Sequence, residues 1–210
     1  MGCPGARVRA VAHLDRQARR PRADRRNTSG KRSLKLRLIT AARTGPNAAL
    51  RFGAHDDPLD KRGRAECARL RLSFPDTVRI APDRSATETA AEIGADGVID
   101  DALKSLDLGR WTGLAPDEID PLDLGEWFGD PGANPHGGES ITAFLARLSA
   151  WLETAWTVDV GAVVASGTAQ GLVAAATGMS FWGVEVAPAG VIDLERRGGR
   201  WRLQLGSTNI

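Results

Sequence analysis

The sequence is short of the residues that staple a fold or carry it across a membrane. Its two cysteines, Cys3 and Cys67, lie in very different contexts, one in an arginine-rich start and one in an amphipathic stretch. That usage excludes a disulfide framework and a cysteine-based zinc site. No apolar run approaches the roughly 20 residues that cross a bilayer, and the first residues lack the apolar core of a signal peptide. The expected location is the cytoplasm, with no membrane partner. Histidine is scarce too: of the three in the chain, His13 and His55 have no partner at metal-ligand spacing. No metal and no cofactor are expected, and no internal repeat is visible.

What is present suffices for one folded body. With 210 residues, 42% of them hydrophobic, and only 24 glycines and 11 prolines, the chain can bury a real core. The net charge of +2 hides an asymmetry, because residues 1–33 carry nine arginines and one lysine against Asp15 and Asp24. The remainder is acidic. We therefore divide the chain into a basic leader, residues 1–33, expected to be disordered because it has no apolar period to offset its ordering entropy, and a domain over 34–210. The leader is a nonspecific contact for nucleic acid or anionic lipid, or a targeting or upstream extension without function. The acidic body otherwise disfavours nucleic acid, and self-association stays open.

Along the body, Leu34 to Thr40 alternates as a short buried strand does and runs into a loop of small residues. From Asp60, the positions Gly63, Cys67, Leu70 and Phe74 fall on one face of a helix. Thr77 to Ala81 predicts a second strand, and Asp83 is placed to cap a helix running to Gly94. A loop-rich middle over 97–138 follows, of the kind that shapes a binding mouth. Ile141, Phe144, Leu145, Leu148, Trp151 and Leu152 then form one helical stripe. A strand over 160–165, a helix over 168–177 closed by Gly178, and a hairpin around Gly198-Gly199 complete the chain. Strands and helices alternate, so the fold class is a layered α/β/α sheet with helices on both faces. In such sheets the ligand site lies at the carboxyl ends of the strands.

Three strand ends carry related motifs: Ala42-Arg43-Thr44-Gly45, Ala81-Pro82-Asp83-Arg84-Ser85-Ala86, and Ala165-Ser166-Gly167. Between them stand Asp57-Pro58-Leu59 with Gly63, Leu108-Gly109-Arg110-Trp111-Thr112-Gly113, and Gly138-Glu139-Ser140. In order and element type these resemble the histidine phosphatase superfamily, phosphoglycerate mutase-like. Its strands end in Arg-His-Gly, Ser-Pro-x-x-Arg-Ala and a Ser-His-Gly-like turn, with Pro-Leu-Thr-x-x-Gly, Phe-Gly-x-Trp-x-Gly and Gly-Glu-Ser between them. The resemblance covers about residues 34–180.

In that family the first histidine attacks phosphorus, a second histidine and two arginines hold the phosphoryl oxygens, and an acidic residue protonates the leaving oxygen. Position by position, the resemblance puts the nucleophile on Thr44, the second histidine on Ser166 and the acid on Ser105. The family's asparagine falls near Leu50. A hydroxyl needs an adjacent base before it attacks phosphorus, and loss of the general acid alone costs roughly 100- to 10,000-fold. Arg43 and Arg84 survive as guanidinium forks at strand ends, Arg84 also at a helix start, and form the expected phosphate or carboxylate cradle. The competing reading pairs them with Asp56, Asp57, Asp83 or Asp107.

The reading that follows is a pseudophosphatase that keeps an anion pocket and has no catalytic residue. Its rivals are a phosphomonoesterase or mutase with an atypical nucleophile at Thr44, Ser166 or His136, and a structural or assembly protein. His136 is expected to be a solvated loop histidine. Asp107 is read as a turn or ion-pair former that could face the same side as Ser105, and Trp111, Trp127 and Trp151 as core or lid aromatics.

Overall fold

The computed structural model describes residues 33–70, 72–154 and 156–204. The basic leader, apart from Ser33, lies outside the described residues. Among these, six strands form one sheet in the order β3-β2-β4-β1-β5-β6: β1 Leu34–Thr40, β2 Thr77–Ile80, β3 Val98–Ile99, β4 Val160–Val164, β5 Val191–Arg197 and β6 Arg200–Gln204. The strands β1 to β4 run parallel, whereas β5 and β6 add an antiparallel edge. At the centre, β4 (VGAVV) is buried at every position, as a strand covered on both faces must be, and its unbroken apolar run is the cause.

The described residues also form six α-helices: α1 Gly45–Ala48, α2 Lys61–Cys67, α3 Arg84–Ile93, α4 Pro121–Gly129, α5 Ile141–Leu152 and α6 Ser166–Thr177. From the strand order, the right-handed rule for parallel crossovers puts α2 and α3 on one face and α5 and α6 on the other, and each pair packs together. The layered α/β class expected from the alternation of elements is the class observed. On α5 the predicted stripe is the buried face: Ile141, Phe144, Leu148, Trp151 and Leu152 are all in the core. No helix among the described residues is long and apolar enough to cross a membrane.

Three expectations need correction. The helix from Asp60 stops at Cys67, short of Leu70 and Phe74, because its end tightens into i→i+3 bonds, Arg69 N to Glu66 O at 3.1 Å and Leu70 N to Cys67 O at 3.0 Å. Pro75 then bars helical geometry at Phe74. The loop-rich middle holds β3 and α4, the latter started by Asp120, whose carboxylate caps Leu122 N at 2.8 Å, and by Pro121 at the first helical position. Asp83 occupies the N-cap position of α3 but makes no capping bond. Its carboxylate is engaged elsewhere.

Candidate functional site

At the carboxyl ends of the parallel strands three chain turns meet. Thr40 pairs with Val164 in the β1–β4 ladder, and Ala41 N continues it with a 2.7 Å bond to Val164 O, while Ala81 N reaches Val163 O at 2.9 Å. Ala41, Ala81 and Ala165 are thus neighbours at one rim. Beside them opens a cavity of about 280 Å³, bordered by Ala41, Ala42, Thr44, Asn47, Ser85, Ser105, Ser166 and Gln170, by the carboxylates Asp57 and Asp83, and by an aromatic wall of Trp127, Phe181 and Trp182. Among the described residues that line it there is no histidine, arginine or lysine. A larger hollow of about 680 Å³ lies at the opposite strand ends, around Lys35, Arg37, Asp159 and Asp193. Sheet topology favours the first as the site, since ligands of open α/β sheets bind beyond the strands' carboxyl ends.

The structure brings Thr44, Ser105 and Ser166 to this cavity; it does not bring Arg43 or Arg84. Arg43 is turned toward α2. Its carbonyl accepts Asp60 N at 3.0 Å, and its Nε donates to Asp60 Oδ2 at 2.8 Å. A Cβ on Gly63 would lie 2.3 Å from Arg43 O, so the glycine is what lets α2 seat against this backbone. Arg84 is exposed and donates through Nε to Glu88 Oε1, one helical turn on, at 2.8 Å. The acids that hold the two arginines are Asp60 and Glu88, not Asp56, Asp57, Asp83 or Asp107. The cavity wall next to Arg84 is Ser85.

Thr44 is buried and committed to structure. As N-cap of the four-residue α1 it donates through Oγ1 to Asn47 Oδ1 at 2.9 Å, and its own N–H reaches the same oxygen at 3.2 Å. Leu50, where an amide was expected near the site, is 80% exposed. Asn47, three residues earlier, borders the cavity instead.

Asp83, only 2% exposed, is the best-held group of the site. Its Oδ2 accepts Ser105 N at 3.1 Å, and its Oδ1 accepts both Ser105 Oγ–H and His55 Nδ1–H, the latter at 2.8 Å. The carboxylate can only accept, so it fixes the His55 tautomer with the proton on Nδ1. Ser105 Oγ stands 3.0 Å from the same nitrogen. A buried carboxylate is tolerated when it is hydrogen-bonded in this way, and the cluster ties the 54–57 loop, the start of α3 and the segment before Leu106. Sequence reasoning missed His55. Its partners lie 28 and 50 residues away, and nothing local signals them.

His136 is the reverse of the solvated histidine expected. It is 1% exposed and packed edge-on against Trp111 at 5.1 Å and Trp127 at 6.1 Å between ring centroids. Gly138 N–H donates to its Nδ1 at 3.0 Å, so Nε2 carries the proton of the neutral ring, buried without a hydrogen-bond partner. Burial pushes its pKa below the ordinary histidine range, with Asp107 opposing and Arg110 adding to the drop. Asp107 is a turn former, accepting Gly109 N at 2.9 Å. Trp111, Trp127 and Trp151 are all buried.

The motifs of the middle segment have structural work to do. The backbones of residues 107–110 and 136–139 cross with Arg110 N on His136 O at 3.0 Å and Glu139 N on Asp107 O at 2.8 Å. A Cβ on Gly109 would lie 2.3 Å from His136 O, and one on Gly138 2.2 Å from Asp107 O. Glu139 forms a two-pronged pair with Arg147 at 3.1 and 2.7 Å, and Ser140 caps α5 through Ala143 N at 3.2 Å.

This arrangement, a parallel sheet with an antiparallel edge and a site between three strand ends, is a phosphoglycerate mutase-like α/β fold. The chain belongs to the histidine phosphatase superfamily (branch 1), whose sequence pattern matches residues 38–208. Among solved structures it is similar to mycobacterial hydrolase 1, with 26% identity, a TM-score of 0.70, and 83% of this chain and 98% of that one covered. The α-ribazole phosphatase of Shigella flexneri shares the fold at 22% identity and a TM-score of 0.71, over 82% of this chain and 95% of that one. A mycobacterial glucosyl-3-phosphoglycerate phosphatase does so at 24% identity and a TM-score of 0.67, over 83% and 98%. No curated protein matches the sequence.

Proposed function

We propose that this chain is a histidine phosphatase fold that has lost phosphoryl transfer and serves as a binding domain. One observation carries the reading: the cavity at the strand ends is walled by hydroxyls, amides, alanines and two carboxylates, without an imidazole or a guanidinium. The family's chemistry needs a nucleophile that is unprotonated near neutral pH, cations to hold the transferring group and an acid for the leaving oxygen. Two structural neighbours are phosphatases by name; the lining of this chain's cavity holds none of the basic side chains that such chemistry needs.

The strand register supports a refinement of the residue assignment. Two imidazoles that face one phosphoryl group must come from adjacent strand ends. Ala41 and Ser166 follow β1 and β4 where these pair, and both line the cavity. We therefore assign the nucleophile's place to Ala41 in preference to Thr44, and the place of the second element's arginine to Ser85 in preference to Arg84. Ala41 has no reactive atom. Of the atypical nucleophiles, Thr44 is tied into the α1 cap and His136 lies beneath two tryptophans, outside the lining; Ser166 does line the cavity, and its removal is part of the test.

The test is hydrolysis of p-nitrophenyl phosphate from about pH 4 to 9, with and without divalent metals. The expected rate is that of the blank, unchanged in Ser166→Ala. Turnover above blank with a phosphorylated side chain trapped during it would sink the reading.

A further inference from the structure

We propose that the strand-end cavity binds a neutral polyhydroxylated ligand, a single monosaccharide-like ring, and rejects phosphate. The assignment rests on the loss of phosphoryl transfer argued above. Charge is the first reason. The charged groups of the lining are Asp57 and Asp83, so a phosphate dianion would meet two carboxylates and no compensating cation. A cationic ligand finds Asp83 engaged through both oxygens and Asp57 through one. Asp83 accepts from His55 and twice from Ser105, and Asp57 Oδ2 accepts Ala54 N.

The remaining polar groups suit hydroxyls. Asn47 must turn its oxygen toward Thr44, because a backbone N–H points there, and this leaves its NH₂ to donate. Gln170 must turn its NH₂ toward Phe181 O, 2.7 Å away, which leaves its oxygen to accept. Ser85 and Ser166 can do either. Adjacent donors and acceptors on short side chains match a ligand whose every polar group is itself both donor and acceptor. The same cavity is lined by Trp127, Phe181 and Trp182, with ring centroids 4.6 Å apart for the two tryptophans and 4.9 Å for Phe181 and Trp182. Such a wall takes the C–H face of a sugar ring, which is apolar where its rim is wet. The volume of about 280 Å³ lies at the small end of ligand sites, which begin at roughly 300 Å³. One ring fits; an extended chain does not.

The experiment uses the full chain and a panel of D-glucose, D-galactose, D-mannose, D-ribose and myo-inositol, with inorganic phosphate and tetramethylammonium as contrasting probes. Ligand-observed saturation-transfer NMR and tryptophan fluorescence report binding. At least one polyol should saturate in the millimolar range, insensitive to salt and undisturbed by phosphate. Gln170→Ala and Trp182→Ala should each weaken it by about tenfold or more, a change of roughly 1.4 kcal/mol, while circular dichroism stays that of the parent. If no polyol saturates, or if phosphate or tetramethylammonium binds in the cavity in their place, the assignment is overturned. Turnover of p-nitrophenyl phosphate would instead sink the catalytic reading, whatever the sugars do.

Discussion

Two regions a few residues apart obey different rules. Where residues 107–110 cross 136–139, the backbones exchange hydrogen bonds and leave no room for a methyl group at Gly109 or Gly138. At the cavity next door, on the reading proposed above, alanines and hydroxyls take the places of imidazole and guanidinium. The crossing is held by close backbone approach, and the cavity lining carries carboxylates but no cationic side chain. The fold asks for close approach, caps and a core, and it asks nothing of the reactive groups, so the two can part company.

The contrast can be broken most forcefully at the crossing. Gly109→Ala puts a Cβ 2.3 Å from His136 O at a backbone φ of +47°, and should cost about 3 kcal/mol or more. Ser166→Ala, at the cavity, should change stability by less than about 0.5 kcal/mol. Urea denaturation of the pair measures the difference, and equal losses would erase the distinction.

Acid should act on the crossing next. His136 is held neutral by burial, so its folded pKa lies below the ordinary value of 6.5. The unfolded chain takes up a proton near 6.5 and the folded one does not, so stability is full above that value and is lost as pH falls through it toward the folded pKa. Melting temperatures between about pH 7.5 and 5.5 should decline, and less steeply in His136→Phe. Parallel slopes in the two proteins would remove His136 from the account. The smallest effect is expected outside both regions: Arg84→Ala breaks one exposed i,i+4 pair and should cost at most about 0.5 kcal/mol. It should leave polyol binding unchanged; loss of binding would return Arg84 to the site.

Much of the fold was legible because periodicity is local. β1 spans the alternating Leu34–Thr40 and α5 ends on its apolar stripe. β3, two residues long, and α4, announced only by Asp120-Pro121, carry too little pattern to be seen. The site was less legible for a reason of direction. A motif says where a residue falls along the chain, but the residues after a strand turn to opposite sides, so Arg43 and Arg84 leave the cavity for Asp60 and Glu88 while Ala41 and Ser85 face it. Asp83 had a local role on paper, as a helix cap. Two partners far along the chain drew its carboxylate away instead.

The sheet's outermost strands bear on how copies of this protein behave in a crowded solution. β3 offers an incoming chain a rim of only Val98 and Ile99, too brief to template a ladder. The other rim, β6, sets Arg200 and Arg202 outward, so a second molecule arriving edge-on meets like charge. Extending β3 with further β-branched residues would remove that guard and invite strand-by-strand stacking, even though the enclosed core stayed intact.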